Sequence, residues 1–274
     1  LFHKTRAIGV HYLDSKGQIQ EVAAMQEVIL AAGALNTPTL LELSGIGQRN
    51  VIESHGIELK HELPGVGENL QDHYHVQVQH GVNKGVTISD DGKFPRVVFN
   101  VFKYLFTKRG LLAFPAANIG AFYKTAGDTR PSMQIHFTPG AGGMDEKGNM
   151  TPSPVPGVNS TTCVLRPEAR GHVHIRSTDP KAPPKILYNY LTNENDCKRA
   201  VDGVKKQREI YAAAPFRDIA TTEITPGAHV QTDEQILEYC RNEGGSVYHP
   251  VGTCKMGAAN DARAVVDNEL KVHG

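Results

Sequence analysis

The chain has 274 residues, and its 29 Lys+Arg balance 29 Asp+Glu, so the formal charge is zero. That balance lacks the basic clustering that nucleic acid or an anionic membrane calls for, and the length suits one large domain or two ordinary ones. The longest apolar run, Leu111 to Phe122, is interrupted by Pro115 and Asn118 and is too short to span a bilayer, so no transmembrane segment is expected.

In chain order, residues 6–12 and 18–24 read as two short strands around the turn at Asp14-Ser15-Lys16-Gly17. The run 27–34 (EVILAAGA) is continuously apolar and ends in small residues, the pattern of a strand buried on both faces of a parallel sheet. A helix follows, with Thr37 expected as N-cap, Pro38 at its first position, Leu40, Leu41 and Leu43 inward, and Gly45 as a left-handed stop. Gly45-Ile46-Gly47 is not a dinucleotide fingerprint: position 50 is Asn50, and the glycines close a helix instead of opening one. A second short helix is expected at roughly 48–55, then a constrained loop at 64–73 (PGVGENLQDH) and an alternating strand from His75 to His80.

Residues 81–95 are Gly/Asp-rich and expected to be mobile. Apolar positions 98, 101, 102, 105 and 106 predict an amphipathic helix over 97–108, packed on a core and closed by Gly110. Strands are expected at 120–123 and 133–137, a surface loop at 139–158, and a hairpin of 161–166 with 172–177. Helices are expected at 195–214, stopped by Pro215, and at 233–242, opened by a Thr232/Gln235 capping box. That last helix leads through Gly244-Gly245 to Tyr248-His249-Pro250. Pro250 biases His249 toward an extended backbone, and an imidazole titrating near neutral pH suits proton abstraction from an alcohol. The local chemistry alone also allows a structural histidine.

The four cysteines (Cys163, Cys197, Cys240 and Cys254) show no CxxC spacing and are too sparse for a disulfide scaffold. A reducing compartment follows, with a cytoplasmic location expected, membrane-associated or not. His73/His75 and His172/His174 stand at i, i+2, but no second pair or carboxylate completes a metal set at the usual spacing, so no metal is expected. Ser246 lacks the second glycine of a nucleophile elbow, and Cys254 with His249 as a thiol hydrolase lacks a third group to orient the pair.

Three stretches carry a resemblance. GALNTPTLLELSGIG (33–47) resembles the second signature of the glucose–methanol–choline (GMC) flavin oxidoreductases. GENLQDH (67–73) is similar to that family's next landmark, and Tyr248-His249-Pro250 through Gly257 to the loop bearing its catalytic histidine. The bacterial choline- and alcohol-dehydrogenase branch looks nearest.

The resemblance implies a mixed α/β plus α+β chain, part of a GMC-type FAD-binding domain joined to a substrate domain built on an antiparallel sheet. Residues 1–80 and 246–274 would belong to the FAD domain and 81–245 to the substrate domain. His249 would accept the hydroxyl proton of a primary alcohol while hydride leaves for flavin N5. Ala31, Ala32 and Gly33 would lie near the adenosine of FAD, Val247 and Tyr248 beside the ring and substrate. Oxygen or a quinone would take the electrons. The family's GxGxxG motif and its second catalytic residue are not in the 274 residues, so the chain is expected to be the middle and later part of a longer enzyme, inactive alone. Choline-oxidising relatives carry Glu-x-Gly-Gly-Phe where this chain has Asn118-Ile119-Gly120-Ala121-Phe122, so Asn118 is expected to face substrate and favour a neutral alcohol. A cyanohydrin lyase of the same fold and a non-catalytic remnant or binding module are the alternatives.

Overall fold

The strand Tyr74–Val82 reads YHVQVQHGV, and its alternation organises half of the chain. Val76 and Val78 are fully buried on one face with Tyr74, because side chains two apart on a strand share a face. The strand lies within an antiparallel sheet of order Ala220–Thr225, Tyr74–Val82, Gly157–Val164, Met133–Thr138, Ile119–Tyr123. Gly245–Ser246 adds on at its N-terminal end, with Gly245 opposite His75 and Ser246 opposite Tyr74. The computed structural model describes residues 1–274 except Val86, Phe114, Ala116, Asn118 and 145–149.

The helices Glu194–Ala212 and Asp233–Glu243 cover one face of this sheet. Ala200, Val201, Val204, Ile236 and Cys240 join Tyr74, Val76 and Val78 in one buried cluster. Gly203 permits the close approach: a Cβ there would stand 2.6 Å from the Thr162 methyl. Both helices start on legible caps. The Asn193 side chain accepts from the Asn195 and Asp196 N–H groups, and Thr232 and Gln235 form the expected reciprocal box. Arg208 donates twice to Glu223, at 2.9 and 2.7 Å, tying the first helix to the strand 220–225.

Compact units divide the chain at other places than the sequence suggests. One holds Leu1–Asp72, Ala169–Asn189 and His249–Gly274; the other holds His73–Glu168 and Tyr190–Tyr248. Strand 74–82 goes with the sheet it pairs with, so the first division falls at 72/73, not 80/81. Residues 169–189 join the first unit because Leu70 and Gly171 exchange backbone hydrogen bonds and the Val173 N–H donates to Gly67. The expected hairpin of 161–166 with 172–177 is therefore corrected. Residues 157–164 pair with 74–82 and 133–138, while His172–His174 pairs with Lys185–Leu187.

In the first unit the helix runs Gly33–Leu43, four residues earlier than expected. Thr37 is not its N-cap, and Pro38 sits inside it. Pro38 has no N–H for the carbonyl of Ala34, and that carbonyl accepts from the Thr253 hydroxyl at 2.5 Å instead. Gly45 does end the helix, at φ +84°. Leu41 faces inward as expected, Leu40 is exposed, and fully buried Glu42 takes the remaining inward position. Its carboxylate accepts from His174 Nδ1 at 2.6 Å and from the Ile175 N–H at 2.8 Å. Burial opposes a charge on His174, but the Glu42 and Glu68 carboxylates outweigh it and hold its pKa above the ordinary value. Leu41, Ile46, Leu63, Val66 and Val265 form this unit's core.

Two apolar stretches do not pack as expected. Residues 27–32 form no strand, and Ile29 is 78% exposed. A parallel strand is held by neighbours, and among the described residues none pairs with it. The amphipathic helix forms at Arg96–Thr107, closed by Lys108 at φ +56°, but Phe102, Leu105 and Phe106 are exposed and only Asn100 is buried. Its neighbours are the short turns Ile88–Asp91 and Leu111–Ala113, too small to cover an apolar stripe.

Candidate functional site

Loop 249–254 is held in place by backbone groups from three other segments of its unit. Gln71 and Val251 exchange both N–H···O bonds at 2.9 Å, a two-residue zipper without a continuing strand. The Gly67 N–H donates to the Thr253 carbonyl at 3.0 Å, and Asn69 Nδ2 donates to the Gly252 carbonyl at 3.1 Å. Gly252 sits at φ +98°, and a Cβ there would meet the Asn69 carbonyl, so only glycine follows this path. Thr253, 1% exposed, completes the set by donating to Ala34. The stretches 33–47, 67–72 and 249–254, far apart in sequence, thus meet in one unit.

His249 is exposed at the head of this loop, and its backbone N–H donates to Asp72 Oδ1 at 2.9 Å. Asp72 is 4% exposed, so the contact fixes the backbone of His249 while leaving its ring at the surface. Cys254, five residues on, does not support thiol chemistry. Burial, aided by the nearby Glu42 carboxylate, pushes its thiol up to about 11, so it stays protonated at neutral pH.

Ala31, Ala32 and Gly33 are all exposed and carry no side chain larger than a methyl. Gly33 lies at φ +81°, and a Cβ on it would meet nothing within 4 Å. The helix that starts here has no side-chain cap, so part of its first-turn N–H set faces outward as a partial positive charge. The segment offers open backbone and a helix N-terminus, both suited to a flat ligand bearing anionic groups.

Val247 and Tyr248 belong to the other unit, the division falling between Tyr248 and His249. The Val247 N–H donates to the His73 carbonyl at 3.0 Å, continuing the pairing of 245–246 with strand 74–82. Tyr248 has φ +62°, uncommon outside glycine, and its side chain is 83% exposed. Asn118 lies outside the described residues.

Sequence reasoning missed several groups. Asp72, Thr253 and the Glu42–His174 pair act across more than 130 positions, and no local pattern announces them. A row of polar side chains on the sheet face away from the helices was legible in principle. Gln77 lies opposite Thr161, which lies opposite His136, and Asn159 Nδ2 donates to Gln77 at 3.3 Å. The alternation of strand 74–82 sets Gln77 and His75 on that face. The expectation that no carboxylate joins His172 and His174 is also corrected: Glu68 does, 3.1 Å from His174 Nε2.

Comparison with known proteins agrees with the geometry. The GMC oxidoreductase family pattern matches residues 1–75 and again 167–274. Oxygen-dependent choline dehydrogenase 1 of Chromohalobacter salexigens is 36% identical over 274 residues, covering 100% of this chain and 48% of that protein. An alcohol dehydrogenase [acceptor] of Pseudomonas putida is 37% identical over 278 residues, covering 100% of this chain and 49% of its own length. Formate oxidase from Aspergillus oryzae RIB40 shares the fold, with TM-score 0.89 at 24% identity over 98% of this chain and 51% of that one. The chain spans about half the length of these relatives.

Proposed function

The chain belongs to the GMC oxidoreductase family, and from this we propose FAD-dependent oxidation of a primary alcohol to an aldehyde, with His249 as the proton acceptor. The observation that carries the assignment is the anchoring of His249. Its N–H is held by buried Asp72, and the four residues after it are fixed by Gln71, Asn69, Gly67 and Ala34. A general base needs such positioning before its pKa matters.

FAD is the cofactor the family implies, and the residues present fit it. Ala31, Ala32 and Gly33 leave backbone and a helix N-terminus open, which suits the adenosine side of a dinucleotide. When bound, FAD supplies the two-electron acceptor that takes hydride from the alcohol carbon at N5. The protein's own part is to orient the alcohol and to receive the hydroxyl proton on the His249 imidazole. Val247 and Tyr248 are assigned to the ring and substrate side by their match to the family loop, and the left-handed backbone of Tyr248 turns its side chain outward. Oxygen or a quinone as electron acceptor is part of the same proposal.

For substrate, we assign neutral primary alcohols over choline, although several relatives are named choline dehydrogenases. Asn118 stands where choline-oxidising relatives carry a carboxylate, and the chain has no Trp to build a cage around a quaternary ammonium. One experiment tests both parts. In flavin-loaded protein, flavin reduction is followed under single turnover with hexanol and with choline, in wild type and in His249→Ala. Hexanol is expected to be the better substrate by about 10²-fold, and the variant to slow reduction by about 10²–10⁴-fold. Unchanged reduction in the variant overturns the role of His249, and faster reduction by choline overturns the substrate assignment.

A further inference from the structure

The cluster around His174 has no part in the alcohol chemistry, and its composition is that of a metal site. His172 and His174 are two apart on a strand and stack, ring centroids 5.0 Å apart at 29°. Glu68 comes from the 64–72 loop, and one ligand atom from each of Glu68, His172 and His174 lies within 4.8 Å of the other two. Glu42, fully buried, takes the Nδ1–H of His174 at 2.6 Å, which directs Nε2 toward Glu68. This is the arrangement by which a carboxylate fixes the tautomer of a metal-bound histidine. The His172 ring makes no hydrogen bond among the described residues, so its ligand nitrogen is uncommitted.

We propose that Glu68, His172 and His174 bind a divalent transition metal of borderline softness, zinc(II) in particular, with Glu42 orienting His174. Two imidazoles and one carboxylate suit zinc over magnesium or calcium, which prefer all-oxygen sets. Charge argues the same way. One imidazolium between two carboxylates leaves a net charge of minus one, whereas a dication with neutral His174 cancels both. Zinc–ligand distances near 2.1 Å put tetrahedral ligand atoms roughly 3.4 Å apart. The 3.1 Å separation of His174 Nε2 and Glu68 is close to that already. His172 must close by about 1 Å, within reach of a side-chain rotation. Glu68 and His172 also line one cavity, leaving a fourth position for water. Such a metal would tie the helix 33–43, the 64–72 loop and the hairpin 172–187 together. The proposal is independent of the alcohol-oxidising role and does not need flavin.

The test uses the 274-residue chain, stripped with a chelator and titrated with cobalt(II) alone. One cobalt per chain with the visible d–d absorption of a low-symmetry site is expected, displaced by zinc(II) and untouched by excess magnesium. Glu42→Gln should weaken binding about 10–100-fold. His172→Ala decides the matter, because its ring is held only by stacking. Binding should fall more than tenfold with an unchanged far-UV circular dichroism spectrum, and Glu68→Gln should behave alike. Absence of stoichiometric cobalt in wild type, equal affinity in both variants, or displacement by magnesium overturns the site.

Discussion

The unit of residues 73–168 and 190–248 and the unit of 1–72, 169–189 and 249–274 are built on different principles. In the former, one antiparallel ladder and two capped helices bury a single apolar cluster, and every long strand pairs along its length. In the latter, apart from the hairpin 9–23, ladders are two or three residues long. Loops there find their partners in other loops: Thr253 with Ala34, Asn69 with Gly252, Glu42 with His174. Repetitive structure tolerates the loss of one contact because its neighbours repeat it. A loop cage does not, since each polar group has a single partner. The residues that match the family's functional loops fall mainly in the cage.

Four measurements break or sharpen this contrast. The largest effect is expected for His174→Ala, which leaves buried Glu42 without its counter-charge. Such a deletion costs about 3–5 kcal/mol, and hydrogen exchange should rise in 33–43 and 172–175 before it rises in 74–82. Loss of protection first in the sheet would show that the cage does not depend on the pair. Next comes Ile236→Ala, a cavity in the helix-covered core, at about 3 kcal/mol by urea unfolding. A cost below about 1 kcal/mol would mean this core collapses freely and is no better specified than the loops.

Thr253→Val keeps the shape and removes the hydroxyl, leaving the Ala34 carbonyl unpaired. The expected loss is about 2 kcal/mol, together with proteolytic sensitivity around 249–254. A neutral result would leave the early start of the helix 33–43 unexplained. The smallest effect belongs to Glu223. Burial opposes its charge, but hydrogen bonds from His80 and Arg208 hold its pKa down to about 2, below the unfolded value near 4.3. The sign follows: its contribution is whole above the unfolded pKa and drains away as pH falls from about 4.5 toward 2. Arg208→Met should flatten that acid limb by about 1.5 kcal/mol, the low end for charged hydrogen bonds because the pair is partly screened. An unchanged acid profile would remove Glu223 from the account.

Legibility in the sequence followed the same divide. Strands 119–123 and 133–138 and the helices beginning after Asn193 and Thr232 could be read from periodicity and caps, which are local properties. The constrained loop 64–72 announced itself through Pro64, Gly65 and Gly67. The run 27–34 misled because an apolar strand becomes one only beside neighbours that the sequence of the run cannot specify. Thr37 and Pro38 misled for a related reason. They look like a helix start, and only a threonine 215 or more positions away shows how a helix passes through the proline. The helix 96–107 was read correctly as a helix and wrongly as core, since amphipathicity names a face and not what covers it.

The contact between Thr253 and Ala34 spans 219 residues and sets an order of events during synthesis. A ribosome adding about 5–20 residues per second needs roughly 10–40 seconds to travel that distance. Every residue of the sheet-and-helix unit is made within that interval, and it can close its ladder while the first 72 residues wait for the loop that will hold them. The nascent N-terminal stretch, with the apolar run 27–32 uncovered, is therefore where aggregation competes with completion of the chain. The loop that carries His249 is among the last parts to arrive and the one that ends the wait.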